Sequence, residues 1–263
     1  MRSDRKVMHY TKMHGLGNDY LFVFGEVPEN APELSRIYSD RKSGIGSDGM
    51  IYIGYSDKAD FSMRIFNADG SEAKMCGNGI RCVARYVRER GYTDRDELTV
   101  ETLSGIKKIL IDGEFVTVDM GKAEVSEDIL LEVRLTCTPV SVGNPHAVVF
   151  TDAVELVLLR DIGPKIECNA AFPGRVNAEF VEMIGENELR MRVWERGSGE
   201  TQACGTGACA SAAAAVAKGF CRADEPITVR LDGGELEITI KRDYTAIMRG
   251  GAEFVSEGKI ENG

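Results

Sequence analysis

The chain has 263 residues, 43% hydrophobic and 28% charged, which excludes a disordered polymer and leaves room for one large domain or two small ones. Its 42 acidic residues outnumber its 32 basic ones, for a formal charge of −10, so no nucleic-acid partner is expected. No apolar run approaches the roughly 18 residues of a membrane span and the first residues, MRSDRKVMHY, carry no apolar leader core, so the expectation is a soluble, cytoplasmic protein without membrane partners.

In chain order, residues 50–53 read as a strand, and residues 61–66, 98–103, 106–111 and 115–120 read likewise, several with period-2 alternation. Between them, Ile80, Val83, Ala84 and Val87 recur at i, i+3, i+4 and i+7, predicting a helix with Arg81, Arg85 and Arg88 mostly on its other faces. Gly91 is suited to end it. In the second half, residues 178–184, 189–194, 227–231 and 236–240 predict strands. A helix over 208–218, ending at Gly219, is nearly all alanine, as expected where strands crowd it from every side.

These two series are copies of one pattern. Cys76-Gly77-Asn78-Gly79 recurs as Cys204-Gly205-Thr206-Gly207, a shift of 128, which also carries Glu72 onto Glu200, Gly91 onto Gly219 and Met120 onto Met248. Gly17-Asn18-Asp19-Tyr20 resembles Gly143-Asn144-Pro145-His146 at a shift of 126. The period is far too long for a solenoid. The fold class expected is therefore α+β, with two similar pseudo-twofold-related domains, each a curved β-sheet or barrel wrapped around one central helix. The boundaries expected are 1–121 and 122–250, with the tail 251–263 packing back on the first domain.

Seven cysteines are an odd number, which suits free thiols in a reducing compartment better than a disulfide framework. No C-x-x-C occurs, and His9, His14 and His146 lie far from any cysteine, so no metal is expected. Cys76 and Cys204 each precede a glycine-rich helix start, where free backbone N–H groups and the helix dipole are expected to lower the thiol from its ordinary pKa of about 8.5. The flanking glycines would let a carboxylate reach those N–H groups. Cys82 and Cys209 lie within the helices and read as core, and Cys137, Cys168 and Cys221 carry no motif. One activated sulfur in each of two facing domains suits inversion of a carbon centre, in which one group removes a proton and the other returns one on the opposite face without a cofactor. Gly44-x-Gly46-x-x-Gly49 matches a dinucleotide pattern only formally, because a strand rather than a helix follows it.

The blocks MHGLGNDY, FNADGSEAKMCGNGIRC, GNPH and WERGSGETQACGTGA resemble the signatures of the diaminopimelate epimerases, and the likeness runs over nearly the whole chain. The resemblance implies a pyridoxal-phosphate-independent isomerase that interconverts LL- and meso-diaminopimelate for lysine and peptidoglycan precursors, and a homodimer. It implies Cys76 and Cys204 as the acid/base pair, with Cys204 taking the proton from the LL form and Cys76 donating one. It implies substrate contacts at Asn18, Asn67, Gly77, Asn78, Asn144, Asn177, Arg196, Gly205 and Thr206. His146 and Glu195 would tune the cysteines and hold the substrate amine. These residue types suit the task, since a planar guanidinium grips a carboxylate and asparagines offer both donor and acceptor to a zwitterion. The sequence departs from the pattern at Gly49, where some relatives carry a glutamine that touches substrate. The alternatives are another two-cysteine racemase, a hydroxyproline epimerase or dehydratase and, outside enzymes, a thiol sensor or amino-acid binding protein.

Overall fold

A computed structural model describes residues 7–261. The chain divides into two compact units, one holding the residues up to Val116 together with those from Gly251 onward, the other Thr117–Gly250.

In the first unit the strands pair in the order Glu253–Glu261, Val7–Gly15, Asn18–Phe24, Gly49–Tyr55, Phe61–Asn67, Glu97–Thr102, Gly105–Asp112. Two of these steps are parallel, Asn18–Phe24 with Gly49–Tyr55 and Phe61–Asn67 with Glu97–Thr102. The second unit pairs Thr136–Ser141, Pro145–Phe150, Asn177–Gly185, Glu188–Glu195, Pro226–Leu231, Gly234–Ile240 and Thr245–Gly251. Its parallel steps fall at the equivalent places, Pro145–Phe150 with Asn177–Gly185 and Glu188–Glu195 with Pro226–Leu231. Each unit is thus one mixed sheet folded about a helix, and the duplication visible in sequence is a duplication of topology.

Among the described residues four α-helices complete the units: α1 (Ala31–Ser39), α2 (Gly77–Glu89), α3 (Leu159–Glu167) and α4 (Gly205–Ala217). Outlying strands such as Glu97–Thr102 and Gly234–Ile240 alternate between buried and partly exposed residues. The strands of the first parallel step are instead buried on both faces, because each is covered twice. Leu21, Val23, Met50 and Tyr52 pack against Ala31 and Leu34 of α1, whereas Phe22 stacks on Tyr86 of α2. In the second unit Ala147, Val149, Ala178 and Phe180 pack against Leu159 and Ile166 of α3. Strand alternation therefore turns His146, Asn177 and Glu179 toward α4. That face carries the chemistry.

α4 touches strands on all sides, from Thr136–Ser141 round to Gly234–Ile240. Ala208, Ala210 and Ala212–Ala215 are fully buried, and their small side chains permit the close approach. Both central helices end as the glycines predicted. Gly91 and Gly219 take φ of +73° and +72°, and the N–H groups of Tyr92 and Phe220 return to the carbonyls of Val87 and Ala215, each at 2.9 Å. Arg81 adds a feature that periodicity does not reveal. It is fully buried, and its guanidinium donates to the carbonyls of Gly251 and Gly77 and to Asn78 Oδ1. Its partners are one distant carbonyl, that of Gly251, and two groups one turn back on its own helix. No described helix is long and apolar enough to cross a membrane.

Candidate active site

Cys76 and Cys204 are the N-cap residues of α2 and α4. Each sulfur accepts the N–H of the residue three positions on, Gly79 or Gly207, at 3.3 Å. The cap exists because the cysteine backbone is extended and the glycines let the first turn close over it. A Cβ on Gly79 would lie 2.6 Å from Ile51 Cδ1, and one on Gly207 2.7 Å from Glu179 Oε1. All seven cysteines are reduced.

Around Cys76 the first unit gathers Asn18, Tyr20 and Asn78. Asn18 Nδ2 donates to Asp48 Oδ2 at 2.7 Å, which turns its Oδ1 toward the Cys76 thiol at 3.5 Å and toward Asn78 Nδ2 at 3.5 Å. Asp48 is itself held by Arg41, which also pairs with Asp19. The buried Tyr20 hydroxyl meets the Cys76 sulfur, and burial pushes its pKa well above the ordinary 10.0. Asn67 stands further off, with its amide on Ser71 at 3.0 Å. Gly49 is explained by sterics. A Cβ there would lie 2.3 Å from the Phe66 carbonyl oxygen, so this backbone admits no side chain at that position.

Around Cys204 the second unit gathers Glu195, Thr206, Asn144 and His146. The thiol donates to Glu195, which also accepts from Thr201. Thr206 Oγ1 lies 3.5 Å from the sulfur, Asn144 Nδ2 donates to that hydroxyl at 3.3 Å, and Asn144 Oδ1 faces His146 Nε2 at 3.1 Å. Asn177 holds the neighbouring turn, accepting the Arg196 N–H at 2.8 Å and donating to the Pro145 carbonyl. The Arg196 guanidinium is exposed and reaches the Gly174 carbonyl.

The expected lowering of the thiol does not hold at Cys204. Burial, then the negative charges of Glu195 and Glu179, push it well above the ordinary 9.0, against the opposing hydrogen bonds from Thr206 and Gly207. Glu195 is raised as well, first by burial and then by Glu179. Cap geometry alone does not make a thiolate. Glu179 was not legible as a site residue. It is completely buried, with Oε1 2.7 Å from His146 Nδ1. The signal that finds it lies in the repeat, because 128 residues earlier the same position is Ile51.

Comparison with known proteins fixes the class first. The structure superposes on a hydroxyproline epimerase from Agrobacterium vitis, solved with bound trans-4-hydroxy-L-proline, with a TM-score of 0.74 at 16% identity, over 99% of this chain and 94% of that one. A Bacillus anthracis phenazine biosynthesis protein gives 0.78 at 19% identity, over 98% and 100%. The chain therefore has the α+β fold shared by these proteins. The sequence matches the family described as diaminopimelate epimerase over residues 10–126 and 138–255. The diaminopimelate epimerase of Parabacteroides distasonis is 49% identical over 97% of this chain and 99% of its own length. That of Methanococcus maripaludis is 47% identical over 97% and 100%. The chain belongs to the diaminopimelate epimerase family.

Proposed function

We propose that the protein is an isomerase that interconverts LL- and meso-2,6-diaminopimelate by a two-base mechanism, with Cys76 and Cys204 as base and acid. The observation that carries this reading is the pair of N-capping cysteines at equivalent places in two repeats, within a chain 49% identical to a diaminopimelate epimerase. One sulfur, as thiolate, takes the α-proton, and the other, as thiol, returns a proton to the opposite face of the same carbon. The two exchange roles in the reverse direction. The two sulfurs themselves supply the base and the acid, so the reading calls on no cofactor.

The remaining residues divide the substrate among them. The backbone N–H groups at the helix starts Gly77-Asn78 and Gly205-Thr206 suit the reacting α-carboxylate. Arg196 suits the distal carboxylate, with Asn18, Asn67, Asn144 and Asn177 as neutral partners. Glu195 takes the α-ammonium, and that positive charge offsets the carboxylates that hold the Cys204 thiol up. The reading includes a homodimer in the reducing cytoplasm, where exposed thiols such as Cys168 stay reduced.

Incubation with LL-diaminopimelate in deuterium oxide tests this. Deuterium is expected at one α-carbon together with the meso isomer. Binding without exchange would overturn the reading in favour of a binding protein.

A further inference from the structure

Glu179 is unusual because it is a completely buried carboxylate whose Oε2 meets no hydrogen-bond partner. Its cross-strand neighbours, Val148 and Val193, are apolar. The titratable groups that face it are His146 on the neighbouring strand, Glu195 on the next, and Cys204 at the start of α4. α4 itself carries no charged side chain, and its buried Cys209 is its other thiol. An unmatched oxygen in such a place is costly, so the bond made by the other oxygen must have consequences.

That bond begins a chain with a definite direction. Oε1 accepts from His146 Nδ1–H at 2.7 Å, and Nε2 faces Asn144 Oδ1, a second acceptor, at 3.1 Å, so both ring nitrogens donate and His146 stands as an imidazolium paired with the Glu179 carboxylate. With its oxygen so occupied, Asn144 offers its amide N–H to Thr206 Oγ1 at 3.3 Å. The Thr206 hydroxyl then has its own hydrogen free to point at the Cys204 sulfur, 3.5 Å away. Were the Asn144 amide reversed, every link would reverse too, and the hydroxyl would accept instead of donate. We propose that Glu179 is a positioning residue for Cys204: its carboxylate keeps both His146 ring nitrogens as donors and so sets the direction of the His146–Asn144–Thr206 chain, in which the Thr206 hydroxyl donates to the sulfur in its thiolate form. The chain carries orientation, not a proton. The inference rests on the reading that Cys204 is a reacting sulfur.

A second role for Glu179 is that of a bare negative charge near the thiol, and the two roles predict opposite signs. The test is alkylation of Cys204 by iodoacetamide across pH, read by peptide mapping, with Cys76 in the other repeat as the reference thiol. Removing a bare charge in Glu179→Gln would favour the thiolate and speed alkylation of Cys204. Loss of the directed chain should instead slow it roughly tenfold at a given pH, the size of one charge-assisted hydrogen bond, and move its pH midpoint upward. Glu179→Asp keeps the charge but stands one methylene short of His146, so it should also be slow, and it carries the test alone if Glu179→Gln fails to fold. Thr206→Val should slow alkylation by the same factor, with no further loss in the double variant with Glu179→Gln. Cys204 alkylation that is unchanged or faster in Glu179→Gln, or that is wild-type in Glu179→Asp, overturns the proposal. Alkylation needs no substrate, so this result stays distinct from a failure of the epimerase reading, which the deuterium experiment reports.

Discussion

Cys76 and Cys204 cap their helices with the same bond, yet the groups behind them differ in charge. Counting 128 residues on, Ile51 and Asn67 of the first repeat become Glu179 and Glu195, and counting 126, Tyr20 becomes His146. At these places in the first repeat, then, stand a phenol, an alkyl group and an amide. Behind Cys204 stand an imidazole and two carboxylates. Asp48, which reaches the Cys76 side through Asn18, is matched by Arg41, whereas Glu179 and Glu195 both push the Cys204 thiol up. Duplication supplied two copies of one backbone device, and substitution at three positions made them electrostatically unlike. A reaction that draws one proton and delivers another benefits from that difference, because its base and its acid need not rest in the same state.

The largest effect should come from removing either sulfur. Cys76→Ala and Cys204→Ala should each lower epimerisation by about a thousandfold, measured by deuterium incorporation, because each half is needed in both directions. A single variant with near wild-type turnover would break the two-base comparison. Next comes the buried arginine. Arg81→Leu leaves three acceptors without their donor and should cost about 3 kcal/mol in urea unfolding. Cys209→Ala, at the position equivalent to Arg81, should cost about 1 kcal/mol. Smaller again is the contrast between the cap glycines. Gly79→Ala meets the end of Ile51, which can turn aside, and should cost under about 1 kcal/mol. Gly207→Ala drives into a carboxylate fixed by His146 and should cost about twice that, with a loss of activity.

A last effect needs no substitution and is alkaline. Burial pushes the thiols of Cys137 and Cys221 up to about 11 and that of Cys82 up to about 12, from an ordinary 9.0. A group raised in the folded state stabilises fully below its unfolded value. That contribution is lost as pH rises through the folded value, so the loss runs from about pH 9 to 11 for the first two and onward to 12 for Cys82. Each thiol should account for roughly 1 kcal/mol by pH 10. Hydrogen exchange resolved by unit should show Thr117–Gly250, which holds two of the three, softening first.

Sequence alone made the repeat, both central helices, their capping cysteines and their terminal glycines readable, since each rests on local spacing. It did not show α1, a short helix with Pro32 in its first turn, or α3, whose interior holds Pro164, a residue that argues against a helix. The burial of Arg81 was not readable because its partner carbonyl at Gly251 is 170 residues away. Glu179 was missed for a related reason. Its partner His146 lies 33 residues back, and one acid in a strand reads as its outward face. Spacing locates a cap, but the charge behind the cap is a property of the folded neighbourhood.

The strand Glu253–Glu261 pairs along Val7–Gly15, so the first unit is stitched from both ends of the described chain, while the second is continuous. During synthesis the order of completion is therefore the reverse of the order in sequence. Residues 117–250 can emerge and close as a whole. The first unit waits with an unfilled edge beside Val7–Gly15 until its last strand leaves the ribosome, and over that interval it is open to pairing with another chain.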